Sequence, residues 1–589
     1  MCRIFGTFGL HNASLTKMAF CSVNQNHGGP DEQSIIIKPN WSLGINRLSI
    51  QDISGGGQPY TMDDRIYAVF NGEIYNHLKL REKLHKLGYK FKSNCDGAII
   101  PAMYTEYGED FVSQIEGMFS IALIDNRSTP KLFLACDQLS MKSVYYIEKN
   151  GQFSFSSELD GLKILDSDFG DIDSRAIDLY FSMRAIVGER TIFKNVQVLE
   201  PGTIKTISFG EKSNSRPFNV ALEELPTPSL TFKAAGKTLK NLLDIEVQRM
   251  LQTDAPTCVV VSGGLDSSLI SALAARRSEP LSAFHLAYKG NWPQDERKFA
   301  TEHAKKYGLN LEVVEADPNI FPDILPDMVK HLGQPNSAPH SLSTYLLFQE
   351  VAKNGFKVAL TGEGADEQFG GYNRFAKAYC NKQSEWADLY LDTLAAIPKY
   401  IRNKIYTSEF NTHICEKNQK YYEISTNINS LKMENRLDNL LQFDLFERFP
   451  YYILRRVDHL SMAHGVEVRM PFCQPSITSF AKSIPDGWKI QNSDVKRVVY
   501  EASRGLVPNS ILNRSKQPFT LPVATMIQPG QKLFDYIYSL LTSQIFKERD
   551  LFRSDAIEGL FNDLAKGPNS AVANTLWTLA ILEIWLLQH

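Results

Sequence analysis

A short run of β-preferring residues, Cys258-Val-Val-Val261, ends in Ser262-Gly263-Gly264-Leu265-Asp266-Ser267-Ser268, and residues with helical spacing, Ser268–Arg276, follow at once. A strand that turns through two glycines into a helix sends the chain back over the sheet face, which begins a parallel layer. The alternation returns at Leu281–Leu286 and at Lys357–Leu360. The expected class is therefore α/β. This half should hold a doubly wound parallel sheet, and the C-terminal part should be mostly helical.

The loop after the first strand has the chemistry of a phosphate cradle. Two glycines let backbone come close to an anion because no Cβ blocks it. The hydroxyls of Ser262, Ser267 and Ser268 can donate to phosphate oxygens, and the helix that follows aims its N-terminal amides at the same place. Asp266 would repel a phosphate unless a metal lay between them, which makes it a natural Mg²⁺ ligand. The pattern differs from the lysine-containing loop of nucleotide hydrolases. It resembles the SGGxDS pyrophosphate loop of the ATP-pyrophosphatases, whose members activate a carboxyl or carbonyl group as an adenylate. The strand Lys357–Leu360 leads into Thr361-Gly362-Glu363-Gly364-Ala365-Asp366-Glu367. Its crowded acids need a cation or a basic ligand.

The first part of the chain reads differently. Arg65–Phe70, Met118–Ile124, Lys131–Ala135 and Val144–Ile147 are short strands between polar turns, interrupted by helical patches at Leu78–Leu87 and Ala98–Tyr107. Ser208–Ser229 is rich in proline and small polar residues and reads as a linker. The expected division is residues 1–207, a linker at 208–229, and residues 230–589. Leu230–Leu251 opens the second unit with helical spacing.

Cys2 follows the initiator methionine. Once Met1 is removed, it carries a thiol and a free α-amine on one residue. The amine titrates near pH ~8 and can serve as the base that makes the thiol a nucleophile. The other cysteines, at 21, 95, 136, 258, 380, 415 and 473, never form a CxxC pair and read as small buried hydrophobes in a reducing cytosol. A formal net charge of −3 argues against nucleic acid as a partner. No apolar run is expected to span a membrane, and no signal peptide or lipidation motif is evident.

The chain resembles glutamine-hydrolysing asparagine synthetases over nearly its full length. Cys2 matches the nucleophile of class II glutamine amidotransferases. Arg47-Leu-Ser-Ile50, Asn71-Gly72-Glu73-Ile-Tyr-Asn76 and Asp96-Gly97 match that family's glutamine pocket. The resemblance implies an αββα N-terminal-nucleophile domain. Arg47 would clamp the glutamine α-carboxylate, and Glu73 and Asp96 would face its α-ammonium. Asn71 and the Gly72 amide would form an oxyanion hole. In the second half, Asp458-His-Leu-Ser-Met-Ala-His-Gly-Val-Glu-Val-Arg469-Met-Pro-Phe472 and Asn513-Arg-Ser-Lys516-Gln517 resemble the family's D-x-x-S-M-A and N-R-x-K segments. Lys496 falls where the family has a lysine that stabilises charge at the adenylate. The resemblance further implies ATP contacts from Ser262–Ser268, Leu286, Thr361, Gly362 and Glu363, Mg²⁺ on Asp266 and Asp366, and a catalytic role for Glu363. A cytoplasmic homodimer is also implied.

The implied reaction is ATP-driven amidation of a carboxylate, aspartate by default, with ammonia from glutamine. Ammonia needs a sheltered path from the Asn71 region toward Glu363. The departures bear on the acceptor. Arg3 stands where the family has glycine, and Gly28 where it has arginine. Ala98 stands where an acid is frequent, Ser140 replaces a glycine, Gln474 replaces an aspartate and Tyr500 an arginine. The alternatives are amide formation on another carboxylate, in secondary-metabolite or polysaccharide synthesis, and a binding protein that has lost catalysis.

Overall fold

The computed structural model describes residues 2–10, 13–222, 231–277, 280–290, 292, 295–381, 383, 385–415, 419–514 and 522–589. Twelve strands build the first unit: β1 (Cys2–Phe8), β2 (Glu32–Lys38), β3 (Trp41–Arg47), β4 (Tyr60–Met62), β5 (Ile66–Ile74), β6 (Gly117–Asp125), β7 (Lys131–Cys136), β8 (Tyr145–Lys149), β9 (Gln152–Ser156), β10 (Gln197–Val198), β11 (Thr203–Ser208) and β12 (Asn214–Pro217). They form two antiparallel sheets, ordered β10-β8-β9-β1-β3-β2 and β12-β11-β7-β6-β5-β4.

The period-2 pattern sorts their side chains into three layers of core. On β5, Tyr67 and Val69 face the other sheet, while Ile66, Ala68 and Phe70 face helices α2 (His77–Lys86) and α3 (Ile100–Tyr107). On β1, Cys2, Ile4 and Phe8 point between the sheets, and Phe5 points to the opposite layer with Met18 and Leu165. The last two come from α1 (Leu15–Asn24) and α4 (Leu159–Leu165). Helices therefore cover both outer faces, giving the αββα sandwich. Strand β12 lies within the stretch read as linker. Its polar residues suit an edge strand paired only to β11, so composition alone hid it. The rest of that stretch, from residue 223, lies outside the described residues.

After α5 (Ser174–Met183), α6 (Phe232–Met250) leads to a five-stranded sheet of β13 (Thr257–Val260), β14 (Ser282–Tyr288), β15 (Asn310–Ala316), β16 (Val358–Leu360) and β17 (Glu467–Arg469). All pairs are parallel and the order is β15-β14-β13-β16-β17. The order reverses between β13 and β16, which is where doubly wound sheets open a crevice for ligands. Helix α7 (Leu265–Ala275) follows β13. The helix Ser570–Gln588 is long and apolar enough to cross a membrane, contrary to the expectation from sequence. It is a core helix: Trp577 and Trp585 are fully buried and donate their indole N–H groups to the carbonyls of Ser337 and Gly333.

Candidate active site

The loops after β13 and β16 meet at the reversal point. Ser262 and Ser267 share a hydroxyl–hydroxyl hydrogen bond of 2.9 Å, and the Gly264 amide donates to Ser262 Oγ at 3.2 Å. Gly263 has φ +81°, a conformation that favours glycine. A Cβ on Gly362 would lie 2.7 Å from the Ser267 amide, so the two loops touch only because Gly362 lacks one.

The acids of both loops converge on one cation. Lys496 Nζ lies 2.7 and 2.8 Å from the two Asp266 oxygens and 2.7 Å from Asp366 Oδ1. Burial works against its charge, yet the two carboxylates outweigh burial and raise its pKa. Lys496 itself has φ +49° and opens the helix Arg497–Ser503. A Cβ on Gly371 would fall 2.6 Å from the Lys496 Cδ, so glycine is required beside the lysine.

A cavity of about 500 Å³ opens here. Ser262, Gly264, Leu265, Asp266, Ser267, Leu286, Thr361, Gly362, Glu363, Asp366 and Lys496 all line it. Gly263 and Ser268 do not. Ser268 is fully buried in the first turn of α7, and its Oγ has no hydrogen-bond partner. Glu363 Oε2 is buried without a hydrogen-bond partner. Tyr500 and Arg514 also line the cavity, and Arg514 pairs with Glu296. Lys516 and Gln517 lie outside the described residues.

The second site surrounds Cys2, which pairs across the sheet with Arg47. The Cys2 main-chain nitrogen, the α-amine once Met1 is removed, donates to Asn71 Oδ1 at 3.0 Å. Asn71 Nδ2 is buried without a partner. Burial pushes the Cys2 thiol up, and a Leu48 main-chain hydrogen bond and the Arg47 charge oppose it. Gly72 has φ +152°, and a Cβ there would lie 2.0 Å from the Met118 carbonyl. Arg47 is held by Glu32 at 3.1 Å and by the carbonyls of Gln51 at 3.0 Å and Asp52 at 2.9 Å. Asp96 accepts from the Ile74 amide at 2.7 Å.

Glu73 also reaches a partner that the sequence did not announce. Its Oε1 lies 3.1 Å from Arg469 on β17, while its Oε2 is buried without a hydrogen-bond partner. Arg469 is completely buried, and it also donates to Glu467 at 2.5 Å and to the Met250 carbonyl at 2.6 Å. Two units that sequence reading treats separately thus share a buried ion cluster beside the Asn71-Gly72 pair. Sequence reasoning also missed Gln58. Its amide brackets the Phe70 main chain at 2.8 and 3.1 Å, and its Nε2 lies 3.7 Å from Cys2 Sγ. No local pattern announces such a residue.

A buried cysteine on an αββα sandwich, joined to a parallel sheet with a phosphate loop at its reversal point, defines a two-site glutamine-dependent amidotransferase. Residues 1–218 match the glutamine amidotransferase domain family, and residues 238–587 match the asparagine synthase family. The chain belongs to the asparagine synthase family and is a ligase-type enzyme. It is 28% identical to asparagine synthetase [glutamine-hydrolyzing] 1 of Bacillus subtilis, covering 99% of this chain and 96% of that one. It is 26% identical to the amidase chyE of Penicillium rubens, over 88% of this chain and 86% of that one. Among solved structures, a Bacillus subtilis glutamine phosphoribosylpyrophosphate amidotransferase aligns at 12% identity over 53% of this chain and 66% of that one, with a TM-score of 0.28.

Proposed function

We propose that the chain hydrolyses glutamine at Cys2 and uses the ammonia to amidate a carboxylate activated as an acyl-adenylate. The observation that carries this reading is Lys496 held between Asp266 and Asp366, in a chain that also places Asn71 against Cys2.

At the first site, the α-amine takes the thiol proton and Sγ attacks the glutamine amide carbon. Asn71 Nδ2, buried and unpartnered, and the Gly72 amide receive the oxyanion. Ammonia leaves with the transferred proton, and water then releases glutamate from the thioester. At the second site, the acceptor carboxylate attacks the α-phosphorus of ATP and pyrophosphate leaves. Lys496 offsets the charge that builds on the phosphate. Glu363, facing the cavity, takes a proton from ammonia as it displaces AMP. Asp266 and Asp366 already converge on a cation, so they fit Mg²⁺, which would neutralise the nucleotide phosphates.

Aspartate is the acceptor the family resemblance implies. The cationic lining of the same cavity, set out below, favours the second reading, another carboxylate. The test is incubation of protein lacking Met1 with amide-¹⁵N glutamine, Mg²⁺-ATP and candidate acceptors. AMP, pyrophosphate and ¹⁵N-amide in equal amounts support amidation. Glutamate without pyrophosphate from any acceptor would remove the synthetase reading.

A further inference from the structure

The cavity has a second wall that the phosphate chemistry does not use. It is built by the helix through residues 443–456, which carries Arg448, Tyr452 and Arg456 at intervals of four. Much of this helix, Phe443–Arg448 and Pro450–Leu454, is π-helical. Wide turns of this kind are rare and recur at functional sites. Arg374 joins from a neighbouring helix, and Arg184 reaches in from just beyond α5.

These guanidiniums are poorly neutralised. Among the described residues, neither Arg184 nor Arg456 lies within 4.0 Å of a carboxylate. Asp444 alone serves both Arg374, at 2.6 Å, and Arg448, at 3.3 Å. Arg448 and Arg456 are 3% and 4% exposed, and the Nε atoms of both, with that of Arg374, are buried without partners. Arg456 contacts His340, which burial and the flanking arginines hold neutral. Burial should raise the Tyr452 phenol, yet Arg184, Arg448 and Arg456 pull its pKa below the ordinary value. Acids suited to an ammonium group are scarce. Asp266 and Asp366 hold Lys496, and Glu296 holds Arg514. Glu367 is buried and accepts from the Tyr372 hydroxyl.

We propose that this arginine-lined chamber is the acceptor subsite and that it selects a polyanionic acceptor. Such an acceptor is a carboxylate whose non-reacting part carries a further oxyanion, phosphate or carboxylate, and no ammonium. Planar guanidiniums bind either oxyanion in bidentate fashion. A buried cation without a counter-charge is costly, so the chamber is built to be neutralised by its ligand. An amino acid would bring its own cation into a site whose spare acid, Glu363, is needed for ammonia. This inference rests on the amidation reading for the word acceptor, but not for the binding itself.

The test is calorimetry on the intact chain, saturated with a non-hydrolysable ATP analogue so that the phosphate loop is filled. The probes are 3-phosphoglycerate, tricarballylate and aspartate. At least one of the first two should bind ten times more tightly than aspartate, and the stronger one shows whether phosphate or carboxylate is preferred. Arg456→Met and Arg184→Met should each weaken that probe tenfold, leaving the ATP analogue and glutaminase kcat unchanged. Arg456→Lys, which keeps the charge and the fold, should lose part of the affinity. Aspartate binding as tightly as the polyanions, or variants that bind them like the parent, would overturn the proposal. Pyrophosphate release with the same probes reports separately on amidation: tight binding without release would sink that reading and leave the chamber standing.

Discussion

Arg3 fills the space that a side chain at position 28 would need. A Cβ on Gly28 would lie 2.7 Å from Arg3 Nε and 2.8 Å from its Cγ. In the family pattern glycine stands at the first position and arginine at the second, so two departures resolve into one exchange of partners. The guanidinium is 1% exposed and bonds to Glu158 at 2.6 Å and to Asp458 at 3.2 Å. Asp458 also receives Lys142 at 2.6 Å, so the residue next to the nucleophile is tied to the synthetase half.

The exchange predicts a compensating pair. Gly28→Arg alone should be strongly destabilised by the clash. Arg3→Gly should lose about 3 kcal/mol, because Glu158 and Asp458 would keep buried charge without their partner. The double variant should recover at least about 1 kcal/mol relative to the sum, read from urea unfolding midpoints. Strict additivity would show that the two positions do not share one space.

Lys496→Met should cut pyrophosphate release by about a thousandfold, as expected for loss of a charge that stabilises the transition state. Glutaminase activity at Cys2 should persist. Lys496→Arg should not rescue, since the ammonium bonds both Asp266 oxygens and Asp366 within 2.8 Å. Equal loss of both activities would mean that the lysine acts through folding instead.

Cys2→Ala should abolish glutamine-supported amidation while ammonium chloride still supports pyrophosphate release. Gly72→Ala should destabilise by at least about 2 kcal/mol, because the new methyl meets backbone rather than a movable side chain. A calorimetric scan and a glutaminase assay check the second change, and a native-like melting temperature would contradict the geometry.

Acid should loosen the contact between the halves. Burial pushes His331, His459 and His464 down to about 4. The His27 ring, from the first half, packs 4.7 Å from that of His331. An unfolded histidine titrates near ~6.5, so between that value and the folded one the unfolded chain binds more protons. Stability is therefore fully present above pH ~6.5 and falls toward pH ~4, with each ring costing roughly 1 kcal/mol for every pH step of one within that window. His459→Gln should flatten the slope of melting temperature against pH there. An unchanged slope would assign the acid sensitivity to other groups.

The strands and the phosphate loop were legible because local chemistry announces them. Alternation in β5 and β6 sorts their faces without any knowledge of partners, and the double glycine after β13 marks a turn and a close approach that residues with a Cβ resist. The edge strand β12 was not legible, since its residues look like a linker until β11 lies beside them.

The sequence by itself pointed to two chemistries, a cysteine that would carry its own amine once Met1 is removed and a serine–glycine cradle at the end of an apolar strand. Those depend on residues that are neighbours in the chain. Tertiary structure alone decided that Lys496 stands between Asp266 and Asp366, that Glu73 answers to Arg469, and that Arg184, Arg448 and Arg456 face one cavity. These partners lie far apart in sequence. Their charges become strong only where folding excludes water and brings them within a few ångströms.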